Sequence, residues 1–218
     1  MLFRSVTYEY DMNEFSKEAV SAADESKLPA LRNLLKERAP VRLAVLGDSI
    51  SEGANSSGKL NIAPYQPIYS SLFRRYVEKT FSVDIDFQNY SMGGMASEWG
   101  ASRAYAVGQS MPDLVILSFG ANDGGTGTDN SVAPVPVATF ESNIRAAIAN
   151  VRKYKPACEF ILVSSLMPNP QSGAFGIQGQ YAEAMDKIAE NDASVVSVNM
   201  YALHEIGRAS CRERVSSS

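Results

Sequence analysis

Histidine and cysteine are scarce in this sequence of 218 residues, which contains one His and two Cys. A hydrolase that needs an imidazole base could take it only from His204. The His and Cys residues form no cluster of the kind that binds zinc, and two Cys neither require nor exclude a disulfide. We therefore expect no metal and no cofactor.

Long apolar runs and basic runs are absent as well. No stretch approaches the roughly 20 apolar residues of a membrane-spanning helix, and the first residues, MLFR, are not followed by the apolar segment of a signal peptide. The 20 basic and 24 acidic residues give a net charge of -4, with no basic block that could neutralise a run of phosphates. These absences argue against a membrane or nucleic-acid partner. They leave the compartment, cytoplasmic or secreted, and the oligomeric state undetermined.

Short apolar segments alternate with segments of helical period from residue 41 onward. Five strands are predicted, at residues 42–46, 83–89, 114–119, 160–164 and 195–198. Amphipathic helices are predicted where apolar residues recur every three or four positions, as in Ile68, Leu72, Phe73, Tyr76 and Val77, in Val137, Phe140, Ile144, Ile148 and Val151, and in Tyr181, Met185 and Ile188. The stretch 95–109 has no clear period. Alternating strands and helices predict a parallel sheet covered by helices on both faces.

The second predicted strand differs from the third and fourth. Its sequence VDIDFQN alternates apolar and polar residues, which suits a strand at the edge of the sheet, whereas LVILSF and FILVS are nearly continuous in apolar residues and suit strands buried on both faces. An edge position for strand two fits the flavodoxin-like order 2-1-3-4-5, in which a ligand crevice lies at the carboxyl ends of strands one and three. We predict a three-layer α/β/α sandwich of this type, with the functional site at that crevice.

Residues 1–40 form a lead-in to this predicted domain. The segment VTYEY at 6–10 alternates like a strand, and leucines between Pro29 and Pro40 predict a helix. The strand-like segment is either the last strand of an upstream domain or an N-terminal strand that docks on the edge of the sheet.

Three loops that follow predicted strands carry residue types suited to acyl transfer. In GDSISEG at 47–53, a Ser at the exit of a buried strand can hold its hydroxyl in the crevice as a nucleophile. The Gly pair of NYSMGG at 89–94 lets a backbone amide approach a substrate closely, and Asn122 in GANDGG at 120–125 can donate a hydrogen bond to an oxyanion. Each motif alone is also ordinary turn sequence. Together they stand at the ends of three strands that meet at the predicted crevice.

These motifs resemble the first three sequence blocks of the SGNH hydrolases, also called GDSL-type esterases and lipases, and the resemblance covers roughly residues 41–200. It implies a serine esterase that forms an acyl-enzyme on Ser49. The N–H of Ser49, the N–H of Gly94 and the side chain of Asn122 would form the oxyanion hole. Gly94 is chosen over the preceding glycine because the family's Gly falls five residues after the Asn at the strand end, here Asn89.

Asp48 and Asp123 have supporting roles under this resemblance, Asp48 as a turn residue rather than the acid of a catalytic triad. The family's base is a His three residues after an Asp, in a loop beyond the fifth strand. Here Tyr201 stands three residues before His204, so we do not expect His204 to be the base. The chain is expected to lack the catalytic Asp and His.

The segment 205–215 matches the translation of a common short-read sequencing adapter. We therefore expect residues 205–218 to be a non-native tail, and residues 41–204 to be a hydrolase domain that is incomplete at its C-terminal side.

Similar chains with a strand-like segment before the first block include two-domain carbohydrate esterases that remove acetyl groups from polysaccharides. The resemblance therefore favours a short acyl ester on a carbohydrate, either a small molecule or a polysaccharide. Trp99, Tyr65 and Tyr69 could stack on sugar rings near the crevice, although core packing is the more common use of each. The alternative is a non-catalytic carbohydrate-binding domain or pseudo-enzyme of the same fold, which would keep the crevice without a base.

Overall fold

A computed structural model describes residues 24–125, 133–168 and 176–204, in which strands and helices alternate along the chain. The strands are β1 (Val41–Gly47), β2 (Ile85–Asn89), β3 (Leu114–Ser118), β4 (Glu159–Val163) and β5 (Val195–Val198). The helices are α1 (Pro29–Glu37), α2 (Ser49–Glu52), α3 (Tyr69–Phe81), α4 (Ser97–Gln109), α5 (Val137–Arg152) and α6 (Gln178–Glu190). The strand-like segment 6–10 and the tail 205–218 lie outside the described residues.

The strands form one parallel sheet in the order β2-β1-β3-β4-β5. This confirms the flavodoxin-like order and the edge position of β2. The register pairs Gly47 of β1 with Ser118 of β3, so the carboxyl ends of the two central strands lie side by side. β2 begins two residues later than predicted because Ser82 ends α3 in a left-handed conformation and Val83 packs into the interior before regular pairing starts.

Helices cover both faces of the sheet and produce two apolar cores, which confirms the three-layer architecture. Successive residues of a strand point to opposite faces, so β1 contributes Ala44 and Leu46 to one core and Leu43 and Val45 to the other. The first core is completed by α4, α5 and α6, and the second by α1 and α3. No helix within the described part of the chain is long and apolar enough to cross a membrane.

The stretch without a clear period forms α4, whose buried face consists largely of small residues. A Cβ at Gly100 would lie 2.5 Å from the Phe119 ring, and one at Gly108 would lie 2.7 Å from the Tyr154 ring. Ala104 between them is fully buried. Because these residues score weakly as apolar, the amphipathic pattern disappears although the helix packs closely on the sheet and on α5.

The helix predicted from Ile68, Leu72, Phe73, Tyr76 and Val77 is present as α3, but its buried face was predicted too wide. Phe73 packs against the core and Val77 is buried, whereas the side chains of Leu72 and Tyr76 are 47% and 67% exposed. Tyr69, one turn before Phe73, completes the packed face. The helix contacts the edge of the sheet, where a narrow stripe of apolar side chains is enough to cover the exposed part of the core.

A carboxylate from β4 caps the start of α1. Glu159 is 1% exposed, and its two oxygens accept hydrogen bonds from the backbone N–H groups of Ala30 (2.9 Å) and Leu31 (2.7 Å). The residue before the helix, Leu28, has no side-chain acceptor to offer. An anion at a helix N-terminus satisfies orphan donors and opposes the positive end of the helix dipole. Glu159 therefore joins the lead-in helix to the sheet.

We predict that Glu159→Ala lowers the free energy of unfolding by about 3 kcal/mol, because one buried and one partly buried N–H group lose a charged acceptor. Chemical denaturation of the variant and the parent chain measures the change. Glu141→Ala is a matched control, because Glu141 is a partly exposed carboxylate paired with Arg145 one turn away and such surface pairs contribute little. Equal stability of the two variants would contradict the capping role.

Candidate active site

Ser49 lies where β1 passes directly into α2. β1 ends at Gly47, Asp48 is the N-cap, and Ser49 is the first residue of the helix. The Asp48 side chain accepts a hydrogen bond from the N–H of Ile50 (2.9 Å), which fixes the turn. The N–H of a first helical residue has no acceptor within its own helix, and the half-buried Ser49 side chain has no hydrogen-bond partner among the described residues. Both groups are available to a substrate.

The loop after β2 lies directly against Ser49. A Cβ built on Gly93 would be 3.6 Å from the Cβ of Ser49 and 2.9 Å from Oε2 of Glu52, so a side chain there would displace the Glu52 carboxylate from its present position. The Gly93 N–H donates to Glu52 Oε2 (2.7 Å). Gly94 has a φ of +78°, and the space beside its Cα is open to 4 Å. Its N–H has no hydrogen-bond acceptor within the described residues.

The loop after β3 is held by the side chains that the sequence singles out. Nδ2 of Asn122 donates to the carbonyl of Met95 (2.8 Å), and because Nδ2 carries two hydrogens, one remains for a further acceptor. Asp123 is 1% exposed and accepts hydrogen bonds from the N–H of Ser97 (3.0 Å), the hydroxyl of Ser97 and the N–H of Gly120 (3.1 Å). Asn122 thus lies next to the buried carboxylate of Asp123, which is held by hydrogen bonds, and its own side chain bonds the residue that follows Gly94.

Two buried carboxylates give the site its electrostatic character. Burial raises the pKa of Asp48 above its ordinary value, and the charge of Asp123 raises this pKa further. The N–H of Ile50 acts in the opposite direction by stabilising the ionised form. Asp48 therefore binds a proton more tightly in the folded chain than in the unfolded chain.

His204 is separated from Ser49 by most of the width of the sheet. It lies in a helical segment that begins at residue 200, shortly after β5, and β3 and β4 lie between β5 and β1. Three strand spacings amount to about 14 Å. The Nδ1 atom of His204 is buried without a hydrogen-bond partner among the described residues, so no acid orients the ring there. The structure thus places His204 apart from the three loops that carry Ser49, Gly94 and Asn122.

Several residues that hold the site were not predicted from the sequence. Glu52 lies in the same motif as Ser49, but nothing in the motif indicates that its side chain reaches the Gly93 loop. Asn89 serves in the sequence only to locate Gly94 five residues later. In the structure its Nδ2 donates to the carbonyl of Ser51 (2.8 Å). Asn143 of α5 donates to the Ser97 hydroxyl (2.9 Å) and supports it beside Asp123.

The three aromatic residues considered for sugar stacking have different surroundings. The hydroxyl of Tyr69 bonds to Oγ of Ser51 (2.8 Å), and Tyr69 packs in the core with Phe73. Trp99 is half-buried against the larger core. Tyr65 is 59% exposed and is the one whose ring faces solvent. Within the part of the chain that the structure describes, no three His, Cys, Asp or Glu residues are grouped as metal ligands.

We predict that Asp48→Asn makes the protein more stable at neutral pH. Asn keeps the oxygen that accepts the Ile50 N–H but has no charge to desolvate. Since the folded-state pKa of Asp48 is raised, the parent chain loses stability as pH rises through that pKa, and the variant does not. The difference in unfolding free energy, measured by denaturation over a pH series, should shrink towards acidic pH. A gap that widens on acidification would contradict the raised pKa.

Comparison with known proteins agrees with this geometry. The model of the GDSL-like lipase/acylhydrolase family matches residues 45–213, which include all three loops. The match also extends into the segment expected to be a non-native tail. No curated protein sequence matches the chain.

Solved structures of esterases share the fold. A variant of an acetyl xylan esterase from Geobacillus stearothermophilus has a TM-score of 0.59 at 18% identity, over 77% of this chain and 80% of that chain. A two-domain esterase (CEX) active on acetylated mannans has a TM-score of 0.58 at 22% identity, over 83% of this chain but only 44% of that chain. TesA has a TM-score of 0.52 at 21% identity, over 72% of this chain and 77% of that chain. The family match spans most of the sequence, so the chain belongs to the GDSL-like lipase/acylhydrolase family, a family of ester hydrolases.

Proposed function

We propose that this domain hydrolyses carboxylic esters through an acyl-enzyme on Ser49. The observation that carries the proposal is that some hydrogen-bond donors around the Ser49 turn have an acceptor within the described residues and others do not. The N–H of Ser49, the N–H of Gly94 and one hydrogen of Asn122 Nδ2 have no acceptor within the described residues, whereas the neighbouring Gly93 N–H is already bonded to Glu52. Unused donors held by a rigid frame beside a serine are what an oxyanion hole requires.

The chemistry follows in two steps. Oγ of Ser49 attacks the carbonyl carbon of the ester, and the carbonyl oxygen takes the negative charge and accepts hydrogen bonds from the three donors. The intermediate collapses to an acyl ester on Ser49 and releases the alcohol, which takes up the proton lost by Ser49. Water then attacks the acyl group in the same way, so that the carboxylic acid leaves and the Ser49 hydroxyl is restored.

The proton transfers need a base that can reach Ser49. The position of His204 next to β5, with β3 and β4 between it and Ser49, supports the expectation that another His supplies this base, from an Asp-x-x-His segment of the natural protein. We propose that the chain with its present residues 205–218 turns over slowly, since loss of a triad His costs a serine protease about a millionfold in turnover.

For the substrate, we propose short acyl esters, such as acetyl esters, on carbohydrate. Two of the proteins with similar structures are an acetyl xylan esterase and an esterase active on acetylated mannans. The open space beside Gly94 and the exposed ring of Tyr65 are compatible with a bulky polar alcohol rather than an enclosed acyl tunnel.

The test is hydrolysis of an aryl acetate by two proteins: the chain itself, and an extended form in which residues 205–218 are replaced by a continuation containing Asp-x-x-His. The extended form should turn over, and Ser49→Ala should abolish its turnover and its labelling by a fluorophosphonate. Asn122→Ala should lower kcat about 100- to 1,000-fold, as expected for the loss of one oxyanion donor. Ser102→Ala, on the exposed side of α4, is the control and should keep full activity.

Two results would contradict this proposal. Strong Ser49-dependent turnover by the short chain would refute the need for a further His. An extended form that lacks Ser49-dependent turnover but binds acetylated xylan or mannan oligosaccharides in calorimetry would favour the non-catalytic carbohydrate-binding alternative.

A further inference from the structure

We propose that Glu52 is a positioning residue for the oxyanion hole, which it completes by holding the Gly93 N–H so that the Gly94 N–H is left for the substrate. The inference rests on the proposed function, because it assigns a role within the same site. It concerns a side chain that does not touch the reacting atoms and acts through the loop after β2.

The contacts of Glu52 are directed at this loop. Its Oε2 accepts the N–H of Gly93 at 2.7 Å, and its Oε1 accepts the ammonium of Lys59 at 2.8 Å. A hydrogen bond to a carboxylate is shorter and stronger than one between neutral groups. Lys59, from the loop after α2, also bonds the backbone carbonyl of Glu52 (3.4 Å). The carboxylate is therefore held by Gly93 at one oxygen and by Lys59 at the other.

The two glycines have complementary geometry. At Gly93 a side chain would meet Glu52 Oε2 at 2.9 Å, so the absence of one lets the carboxylate bond the N–H from its present position. At Gly94 a left-handed φ of +78° turns the chain into open space, a conformation that glycine adopts without strain. One glycine brings the loop to Glu52 and the next carries the unbonded N–H.

Glu52 also couples this loop to the nucleophile. It is the last residue of α2, three residues after Ser49, and the N–H of the next residue, Gly53, donates to the Ser49 carbonyl (3.0 Å), which joins the end of the helix to the serine. The Asn89 side chain bonds the carbonyl of Ser51 (2.8 Å) from the other end of the same loop. The distance between two of the proposed oxyanion donors is thus set by the short helix, by these two side-chain contacts and by the backbone bond from the Met92 N–H to the Gly47 carbonyl (3.1 Å).

Glu52 should contribute to the geometry of the loop that carries Gly94 rather than to the free energy of unfolding. The side chain of Glu52 is 39% exposed, and a salt bridge exposed to this degree adds little to the free energy of unfolding. Lys59 is the charged group that faces Glu52 within the described residues, and its hydrogen bond, followed by that of the Gly93 N–H, lowers the pKa of Glu52. The carboxylate is therefore ionised, and the bond to Gly93 charge-assisted, over the neutral pH range.

A spectroscopic test uses the chain as it exists and needs no activity. In a pH series of amide NMR spectra, the Gly93 proton should shift downfield as Glu52 ionises, with a midpoint below the ordinary glutamate value. Glu52→Gln should remove this titration. The Gly94 amide should exchange with solvent faster than that of Gly93. A Gly93 resonance that is insensitive to pH and unchanged in Glu52→Ala would overturn the inference.

A kinetic test uses the extended form with an aryl acetate. Glu52→Ala should lower kcat about 10- to 100-fold, less than outright removal of a donor, while KM stays within about twofold, because the displaced N–H matters mainly in the transition state. Glu52→Gln, which keeps an oxygen acceptor, should restore most of kcat. Glu141→Ala removes a carboxylate of similar exposure from a salt bridge on α5 and should leave kcat unchanged.

The two proposals fail in different ways. If the proposed function is wrong, no form of the protein shows Ser49-dependent turnover. If only the positioning role is wrong, the parent turns over, and either Glu52→Ala has the kcat of the parent or Glu52→Gln loses as much as Glu52→Ala. Denaturation curves for each variant show whether a loss of kcat is accompanied by unfolding, which would also overturn the positioning role.

Discussion

The hydrogen bonds of the buried Asp123 carboxylate are the interaction on which the arrangement of the site depends. Asp123 has no cation beside it within the described residues and is satisfied by the N–H and hydroxyl of Ser97 and the N–H of Gly120. Ser97 is the first residue of α4, so the carboxylate also lies at the positive end of that helix dipole. Leaving a buried charge without such partners would cost several kcal/mol. The end of β3 and the start of α4 are therefore fixed relative to each other.

This constraint extends to the neighbouring loops through single hydrogen bonds. Asn122, next to Asp123, reaches the carbonyl of Met95 just before α4, and Gly94 immediately precedes that carbonyl. From the other side, Glu52 and Asn89 join the same loop to α2. Each of these bonds uses a side chain to hold a backbone group, and the N–H groups of Ser49 and Gly94 are among the donors in these loops that have no acceptor within the described residues. Preorganised donors need not reorient during the reaction, which is the main source of their effect.

The order of the strands in the sheet could be predicted because burial determines the pattern of apolar and polar residues along each strand. VDIDFQN alternates where β2 has one half-buried face, and LVILS is continuous where every residue of β3 is buried. The same logic failed where packing depends on small residues, as at Gly100 in α4, or where a helix contacts only the sheet edge, as at Leu72 and Tyr76 in α3. Both failures arise because hydropathy measures how apolar a side chain is and does not measure how closely the neighbouring elements pack around it.

The site was predictable only in part for a related reason. The three motifs indicated which loops would meet, since parallel strands in this order end at one edge. The bonds that set the distances, from Glu52 to Gly93 and from Asn143 to Ser97, join residues 41 and 46 positions apart. A side chain that bonds a backbone group at such a separation creates no periodicity, and its partner can be any residue with a free N–H. Such contacts become visible only once the fold is known.

The placement of His204 shows why a general base cannot be inferred from the presence of an imidazole alone. A base for Ser49 needs hydrogen-bond reach to the hydroxyl and a third group that orients its ring. His204 has about three strand spacings to cross, and its Nδ1 has no partner among the described residues. A loop that leaves the sheet after β5 and returns over β4 and β3 would bring an Asp-x-x-His pair to the proposed oxyanion donors. In that arrangement the sheet would position the donors and the later loop would position the base, so the two parts of the proposed catalytic site can be tested separately.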